Sequence, residues 1–485
     1  MRYSFALQLI FMKQFIYSLL LTSCILPYAG NAQSLWSWGN NLHGELGNGQ
    51  WGTGFPGNTP AQAGTTTNWK YVDANGRTPH ALQADSSLWG WGDNNSGQLG
   101  NATTTASYVP VRIGTDNDWV KISTGDYHTV GLKANGTVWT WGSNSFGTLG
   151  NGTSSATPAD YAPAKVGTDA DWAEIAAGEW FTLAIKTNGT LWYWGHDNSG
   201  NVLTQTTPLQ VGTDADWKTV ATGYNSHNIA IKTDGTMWGW GHNDIGQIGQ
   251  GTAVGVPIAV PTKIGTDNKW LSASVGHSYT LALKTDGTLW AWGWNDRGQL
   301  GDGGTTDKYA PQQVGTDTDW KIATAGRKHS LAIKNNGTLW TWGWNGDKQL
   351  GDGTTTDRKT PAQVGTATDW VSITGDELYT IGLRKDATSV RTLANAASAA
   401  VLYPNPATAT INIKLAGSTV TTISDMTGKT LVKSTDKTID IDALPAVVFK
   451  MTRWSDIESS VNGTNYDNML MPILVYRLRV VEPVT

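Results

Sequence analysis

The chain has 485 residues, a formal net charge of −5 at pH 7 and a charged content of only 15%. Acidic and basic residues are scattered, and the lack of a basic stripe argues against a nucleic-acid partner. The single cysteine, Cys24, lies in an N-terminal apolar stretch, so the rest of the chain can form neither a disulfide nor a cysteine-ligated metal site.

Residues 1–32 predict a secretory signal peptide, with Met12 as the expected true start. A lysine precedes an apolar run over residues 15–28, and the small residues G-N-A precede a cleavage site ahead of Gln33. The letters L-T-S-C ending at Cys24 resemble a lipoprotein box, which is the alternative; we favour the peptidase site because the apolar run continues past that cysteine. No later segment reaches the roughly 20 apolar residues of a membrane-spanning helix.

After the signal peptide the sequence repeats itself with a period of about 50 residues. The chain contains 26 tryptophans, and most of them fall in two recurring phrases. The first phrase, L-W-x-W-G and its variants, has its first tryptophan at Trp36, Trp89, Trp139, Trp192, Trp238, Trp290 and Trp340. The second, similar to G-T-D-x-D-W, places a tryptophan at Trp69, Trp119, Trp172, Trp217, Trp270, Trp320 and Trp370. Such a period indicates an array or a propeller rather than a catalytic motif.

One repeat, residues 119–166, predicts four short antiparallel strands joined by Asn-Gly-type turns and one long polar loop. Seven such units predict an all-β fold, a seven-bladed β-propeller over residues 33–388. The first copy lacks the strands that should precede it, and the last copy lacks a following L-W-x-W-G strand. We therefore expect Leu35–Gly39 to complete the blade begun by Trp370, which closes the ring and removes two open edges.

The repeated aromatic and histidine positions predict packing rather than catalysis. In a strand the two rings of L-W-x-W-G share one face, so these tryptophans are expected in the core between blades. A second position carries Thr78, His128, Phe181, His227, Tyr279, His329 and Tyr379 in successive units. Because phenylalanine can neither bind metal nor move a proton, this position is expected to be structural. The stretch D-N-N-S-G at 93–97 lacks the closing acidic residue of a calcium loop, so turns are the better interpretation.

Tracing the strands places two kinds of loop on each end of the predicted propeller. The loops before the His/Phe/Tyr position and those after W-G share one face and differ from unit to unit, whereas the opposite face is nearly uniform. Binding residues concentrate on loops held by a rigid frame, and binding anchors are typically Trp, Tyr and Arg. The hypothesis is therefore a partner-binding surface on the variable face formed by Tyr127, Trp180, Trp294, Arg327 and Trp344. The alternative is that Trp294 and Trp344 only cover neighbouring loops.

The repeats resemble the regulator of chromosome condensation repeat family, most clearly over residues 329–357, "HSLAIKNNGTLWTWGWNGDKQLGDGTTTD". The resemblance covers about residues 34–388 and implies a seven-bladed propeller. Members of this family act by binding: nucleotide exchange on a small GTPase, ultraviolet sensing, or inhibition of a β-lactamase. The resemblance implies that this chain binds proteins, but it does not identify a partner.

The C-terminal part resembles the sorting domain of the type IX secretion system. The matching stretches are "VLYPNPATATINIKL" at 401–415 and "ISDMTGKTLV" at 423–432. Residues 400–446 are thus expected to form a small β-sandwich, complete or incomplete, that contacts the export machinery, after a linker over 389–399. Residues 447–485 are atypical for that family, as a shifted reading frame would produce.

These features together predict a monomeric binding propeller, secreted or displayed on the outer surface of a Gram-negative bacterium. It would recognise an extracellular protein or glycan, without catalytic, cofactor-binding or metal-binding residues. The alternative function is an extracellular lyase or hydrolase with a pocket at the propeller axis. Asp, Glu, His or Tyr side chains converging at the axis would favour the enzyme, and an axis of small and apolar residues would favour binding.

Overall fold

The computed structural model describes residues 33–53, 57–196, 204–224, 227–376 and 378–385, together with short strands between residues 413 and 480. The chain divides into two compact units, Met1–Ala387 and Thr388–Thr485. The predicted signal peptide and linker lie outside the described residues.

The first unit contains seven four-stranded antiparallel sheets, which are the blades of the predicted propeller. Blade 1 comprises β3 (Trp69–Asp73), β4 (His80–Gln83), β5 (Leu88–Gly92) and β6 (Ser107–Ile113). Blade 2 comprises β7 (Trp119–Thr124), β8 (His128–Lys133), β9 (Val138–Asn144) and β10 (Ser155–Lys165). Blade 3 comprises β11 (Trp172–Ala177), β12 (Phe181–Lys186), β13 (Leu191–Gly195) and β14 (Gln205–Gln210).

Blades 4 to 6 follow the same order. Blade 4 comprises β15 (Trp217–Thr222), β16 (His227–Lys232), β17 (Met237–Asn243) and β18 (Val254–Lys263). Blade 5 comprises β19 (Trp270–Val275), β20 (Tyr279–Lys284), β21 (Leu289–Gly293) and β22 (Lys308–Gln313). Blade 6 comprises β23 (Trp320–Ala325), β24 (His329–Lys334), β25 (Leu339–Gly343) and β26 (Arg358–Gln363).

The seventh blade joins the two ends of the propeller, as the sequence predicts. Its strands lie in the order β2 (Gly57–Gln62), β1 (Gln33–Gly39), β28 (Tyr379–Lys385) and β27 (Trp370–Gly375). Strands β1 and β28 pair without a register shift from Gln33 opposite Lys385 to Gly39 opposite Tyr379. The expected closure by Leu35–Gly39 is therefore confirmed.

The second tryptophan of each L-W-x-W-G strand packs between blades, with Trp38, Trp141 and Trp342 fully buried. The indole Nε1 of Trp38 donates to the Gln349 carbonyl of the preceding blade at 2.9 Å, and Trp342 does the same to Gln299 at 2.9 Å. Each hydrophobic cluster combines side chains of adjacent blades. Burying one such ring removes about 150–250 Å² from water, so each of these tryptophans stabilises the packing between blades.

The first tryptophan of that strand and the tryptophan of the G-T-D-x-D-W segment enclose a buried cation. In blade 6 the Lys334 ammonium lies 4.7 Å and 4.8 Å from the ring centroids of Trp320 and Trp340. It also contacts Asp317 at 2.6 Å and Asp319 at 3.0 Å. We call this arrangement a cation clip. Among the described residues, six clips recur around the ring, centred on Lys133, Lys186, Lys232, Lys284, Lys334 and Arg384.

The outermost strand of every blade carries at least one proline where its pairing with the third strand changes register. In blade 1, Gly90 pairs with Val111 and Gly92 with Ser107, and Pro110 lies between those partners. A proline withholds a backbone donor, which protects an edge strand from pairing with another chain. The seven positions are Pro60, Pro110, Pro163, Pro208, Pro261, Pro311 and Pro361.

In the second unit the described strands form two small sheets. One has the order β31 (Thr430–Ser434), β30 (Thr421–Asp425), β32 (Phe449–Thr452) and β34 (Arg479–Val480); the other pairs β29 (Ile413–Leu415) with β33 (Ile457–Ser459). The predicted β-sandwich falls largely outside the described residues and stays a prediction. Within the described parts of the chain, no helix has the length and apolarity needed to cross a membrane.

Candidate binding face

The strands direct two distinct sets of loops to opposite ends of the propeller. We call one end the loop face; it contains the turns between the first and second strands, such as Gly125–Tyr127, and the loops after W-G. The other end, the scaffold face, contains the Asn/Asp-Gly turns and the G-T-D-x-D-W segments with their cation clips. The five residues predicted to bind a partner all lie in loops of the loop face.

Glycines bring the loop-face turns close together around the axis. A Cβ atom on Gly223 would lie 2.5 Å from the Gly276 carbonyl oxygen, and one on Gly276 would lie 2.7 Å from that of Gly326. Neither distance leaves room for a side chain. In blade 7 Asp376 takes the glycine position, because its amide donates to the Tyr379 carbonyl as Gly125 does to His128. The side chains that follow these glycines are therefore gathered at the axis.

Three of those side chains, Asp126, Tyr224 and Arg327, meet Asp376 across the axis; we call these four residues the axial cluster. The Tyr224 hydroxyl of blade 4 donates to the Asp376 carboxylate of blade 7. The Arg327 guanidinium carbon lies 4.7 Å above the Tyr224 ring. The backbone amide of Arg327 donates to the Asp376 backbone carbonyl at 3.1 Å. Tyr224 and Asp376 are 7% and 5% exposed, so the cluster covers the loop-face end of the axis.

Burial and like charge shift the protonation of the acidic groups near the axis. Burial, followed by the neighbouring Asp376 carboxylate, raises the pKa of Asp126 to about 8. Burial also raises the pKa of Glu45 to about 7. The pKa of Tyr224 lies well above its ordinary value because it is buried beside Asp126 and Asp376. Burial lowers the pKa of His277 to about 4.

Beside the axis, blades 2 and 3 carry a group of stacked aromatic side chains next to carboxylates. The rings of Tyr127 and Trp180 stack with centroids 4.4 Å apart and an interplanar angle of 15°. Phe146 meets Trp180 edge-on at 5.0 Å and 68°. The Trp180 side chain forms a hydrogen bond to the Glu179 carboxylate. We call Tyr127, Phe146, Trp180 and Glu179 the acidic aromatic patch.

Blades 5 and 6 carry a second aromatic group of opposite charge. The Lys328 ammonium lies 4.9 Å from the Trp294 ring centroid and 5.7 Å from that of Trp344. His277 contacts Trp294 at 5.7 Å. We call Trp294, Trp344, Lys328 and His277 the basic aromatic patch. Of the five predicted residues, Tyr127 and Trp180 belong to the acidic aromatic patch, Trp294 and Trp344 to the basic aromatic patch, and Arg327 to the axial cluster.

A cavity of about 170 Å³ lies inside the ring, lined by the innermost strands. Its wall is mostly Ala, Ser, Thr and Val, with Asp73 and Lys121 among the larger polar side chains. Lys121 forms an ion pair with Glu174. An axis of small and apolar residues was expected to favour binding, and converging titratable side chains were expected to favour an enzyme. The residues lining the cavity are mainly small, whereas the loop-face end of the axis carries titratable groups, so each criterion is met in part.

The recurring histidines lie inside the blade interfaces. His128, His227 and His329 are fully buried, and each Nε2 lies 3.0–3.1 Å from a threonine hydroxyl of the next blade. Burial lowers the pKa of His128 to about 4 and that of His329 to about 3, so the rings are neutral. Their geometry agrees with packing. No group of three His, Cys, Asp or Glu side chains within the described residues is arranged to hold a metal.

Two family models match the chain in separate regions. The model described as RCC1-like domain matches residues 34–381, and the model described as secretion system C-terminal sorting domain matches residues 401–449. No sequence among the curated proteins matches the chain.

Solved propellers resemble the structure at low sequence identity. Prp20p from Saccharomyces cerevisiae, whose structure was described with its binding to Gsp1p and histones, has a TM-score of 0.67 at 21% identity, covering 74% of this chain and 93% of its own. Human WBSCR16 has a TM-score of 0.65 at 21% identity, covering 73% of this chain and 100% of its own. The yeast RCC1 (Prp20) bound to Kap60 gives 0.66 at 20% identity, with 74% and 90% coverage. At these identities the likeness concerns the fold.

Proposed function

Because the chain belongs to the family of RCC1-like domains, we propose that it is a secreted binding propeller that recognises an extracellular partner through its loop face. The matched sorting domain supports export to the outside or the outer surface of a bacterium, with the export machinery as one contact. Neighbouring propellers of the same fold bind proteins, according to the descriptions of their structures.

The observation that carries this proposal is the difference between the two faces. The scaffold face repeats one arrangement, a cation held by two tryptophans and aspartates, around most of the ring. The loop face carries different aromatic and charged side chains in each blade, including Trp180, Trp294 and Trp344. Equivalent blades pack through the same side chains at equivalent positions. Side chains that differ from blade to blade on this rigid frame are therefore available for recognition.

The test is capture of surface proteins of the producing bacterium by the immobilised full chain. A partner bound through the loop face should lose at least about 2 kcal/mol of binding free energy in the double variant Trp294→Ala/Trp344→Ala. The matched control is Lys269→Ala, an exposed side chain of the scaffold face. Unchanged affinity in the double variant, with loss in the control, would place the binding surface on the opposite face.

A second candidate, an extracellular lyase or hydrolase, is favoured by the axial cluster. Asp126, with a pKa raised to about 8, and Asp376 both interact with the Tyr224 hydroxyl. Their mutual hydrogen bonding and deep burial rank this function behind binding. Release of reducing ends or unsaturated products from a polysaccharide by the wild type, lost in Tyr224→Phe, would support the enzyme.

A further inference from the structure

We propose that the acidic aromatic patch of blades 2 and 3 binds a basic side chain, arginine or lysine, of the partner protein. The inference rests on the proposed function and adds the chemistry of the partner. It concerns Tyr127, Phe146, Trp180 and Glu179.

In its cation clips the chain repeatedly packs lysine or arginine side chains against pairs of roughly perpendicular tryptophan rings. In blade 6 the rings of Trp320 and Trp340 are 5.9 Å apart at 83°, and the Lys334 ammonium lies against both. A carboxylate, Asp317, completes the arrangement at 2.6 Å. This geometry combines attraction to the ring faces with charge neutralisation, which is how proteins bind ammonium and guanidinium groups.

The acidic aromatic patch has the same components. Phe146 and Trp180 form a perpendicular pair at 5.0 Å and 68°, close in angle to the 70° between Trp36 and Trp370 in the blade 7 clip. The Glu179 carboxylate is held beside the pair by Trp180. No lysine or arginine within the described chain lies over the rings of this patch. His196 contacts Phe146 at 5.5 Å and 30°, and a lysine or arginine for this pair would come from another molecule.

The patch is reachable from outside. Tyr127 is 38% exposed and Phe146 is 37% exposed. Large aromatic side chains are rarely left in solvent as a contiguous group without a binding role. The basic aromatic patch differs in this respect, because Lys328 already lies over both of its tryptophans.

The carboxyl group of the patch also favours a cation. Burial raises the pKa of the nearby Asp126 to about 8, which keeps it protonated at neutral pH, and the guanidinium group of Arg327 lies close enough to act on Glu179. The attraction for an arriving cation therefore comes from Glu179, which lies directly beside the rings. An arriving cation stabilises the ionised form of Glu179 and Asp126, whose pKa values are raised by burial in the free protein. Arginine fits best, since its planar guanidinium can stack on Tyr127 or Phe146 while it pairs with Glu179.

The probe is N-acetyl-arginine amide, titrated into the full chain labelled with 15N at its tryptophan indoles. The expected result is a saturable shift of the Trp180 indole signal, assigned with Trp180→Phe. The neutral isostere N-acetyl-citrulline amide should bind at least about threefold more weakly, and Glu179→Gln should weaken arginine binding by a similar factor. Trp51→Phe, in a side chain that is 55% exposed and stacks on Tyr108 outside both patches, is the matched control and should leave the dissociation constant unchanged.

Equal binding of citrulline and arginine, a shift at Trp294 or Trp344 instead of Trp180, or binding of an uncharged oligosaccharide such as cellohexaose alone would overturn the inference. Its failure can be separated from that of the proposed function by the capture experiment. If capture depends on Trp294 and Trp344 but not on Trp180→Leu or added arginine amide, only this inference fails. If no loop-face variant affects capture, the proposed function fails as well.

Discussion

The two faces of the propeller use the same side chains under different constraints. On the scaffold face Lys334 lies between Trp320 and Trp340 and pairs with two aspartates, in an arrangement repeated around the ring. On the loop face Lys328 lies over Trp294 and Trp344, and this pairing occurs in a single place within the described chain. Repetition marks what the ring needs in order to pack, and variation marks what packing leaves free. Four experiments sharpen this distinction, beginning with the largest effect.

Deleting residues 33–40 should abolish the closed ring, because it removes β1 from the middle of blade 7. Trp38 and Leu35 are fully buried, and their loss also exposes the partner edge of β28. We expect the melting temperature to fall by tens of degrees or cooperative unfolding to disappear, with dimers seen by light scattering. A melting curve like that of the full chain would show that blade 7 is closed some other way.

Gly276→Ala tests whether the glycines of the loop face belong to the frame. The added Cβ would lie 2.2 Å from the Tyr279 ring and 2.7 Å from the Gly326 carbonyl oxygen, so we expect a loss of about 2 kcal/mol in the free energy of unfolding. Gly255→Ala in the outer strand β18 is the control, since nothing lies within 4 Å of its added Cβ. Chemical denaturation measures both. Equal stability of the two variants would contradict the close approach at the axis.

Lys334→Met and Lys328→Met compare the same pair of contacts on the two faces. Lys334 is nearly buried and pairs with two aspartates, so its replacement should cost about 1–2 kcal/mol of unfolding free energy. Lys328 is half-buried and lies over two tryptophans, so its replacement should cost less than about 1 kcal/mol. Urea denaturation decides between them, and a larger loss at Lys328 would reverse the roles assigned to the two faces.

The free energy of unfolding should be greatest near pH 6.5. It should decrease below that pH (the acid limb) because of buried histidines and above it (the alkaline limb) because of carboxyl groups near the axis. Burial lowers the pKa of His80 and His128 to about 4 and that of His227 and His329 to about 3, so unfolding takes up protons and stability falls as pH drops below 6.5.

The alkaline limb belongs to the axis, where Asp126 with a pKa of about 8 and Glu45 with a pKa of about 7 stay protonated in the folded chain. Unfolding releases those protons, so stability falls as pH rises to about 8. Calorimetry should show that His128→Phe weakens the acid limb and Asp126→Asn the alkaline limb. Swapped effects would refute the assignment.

The frame was predictable because packing repeats in the sequence. The tryptophan phrases identify the strands, and the incomplete first and last copies identify the closing strand, as the pairing of Leu35 with Leu383 confirms. Blade 1 shows the limit of this reasoning. Counting eleven residues back from Trp89 leads to Thr78 as the ring position of blade 1. In the structure His80 supplies the ring between blades instead, and its side chain fits because Gly90, beside it, has no side chain.

The axial cluster was not predictable, since it depends on contacts between distant blades. The hydroxyl of Tyr224 reaches Asp376 across 152 residues of sequence, and no periodic pattern specifies that contact. Arg327 was expected on an open surface, yet it lies over the Tyr224 ring at the axis. The overlooked signal was local: a charged or aromatic residue follows the loop glycine in one unit after another, as in Asp126 and Glu179.

The seam in blade 7 also determines how the ring would respond to mechanical force. Gln33 and Lys385 are register partners at one end of the β1–β28 ladder. Pulling these two positions apart would load the ladder hydrogen bonds one after another from that end, because the bonds of an antiparallel pair lie perpendicular to the strands. Pulling through Lys385 against a partner held on the loop face would instead spread the load over intact blades. A propeller tethered by its C-terminal side could thus hold a partner under flow while its seam stays closed.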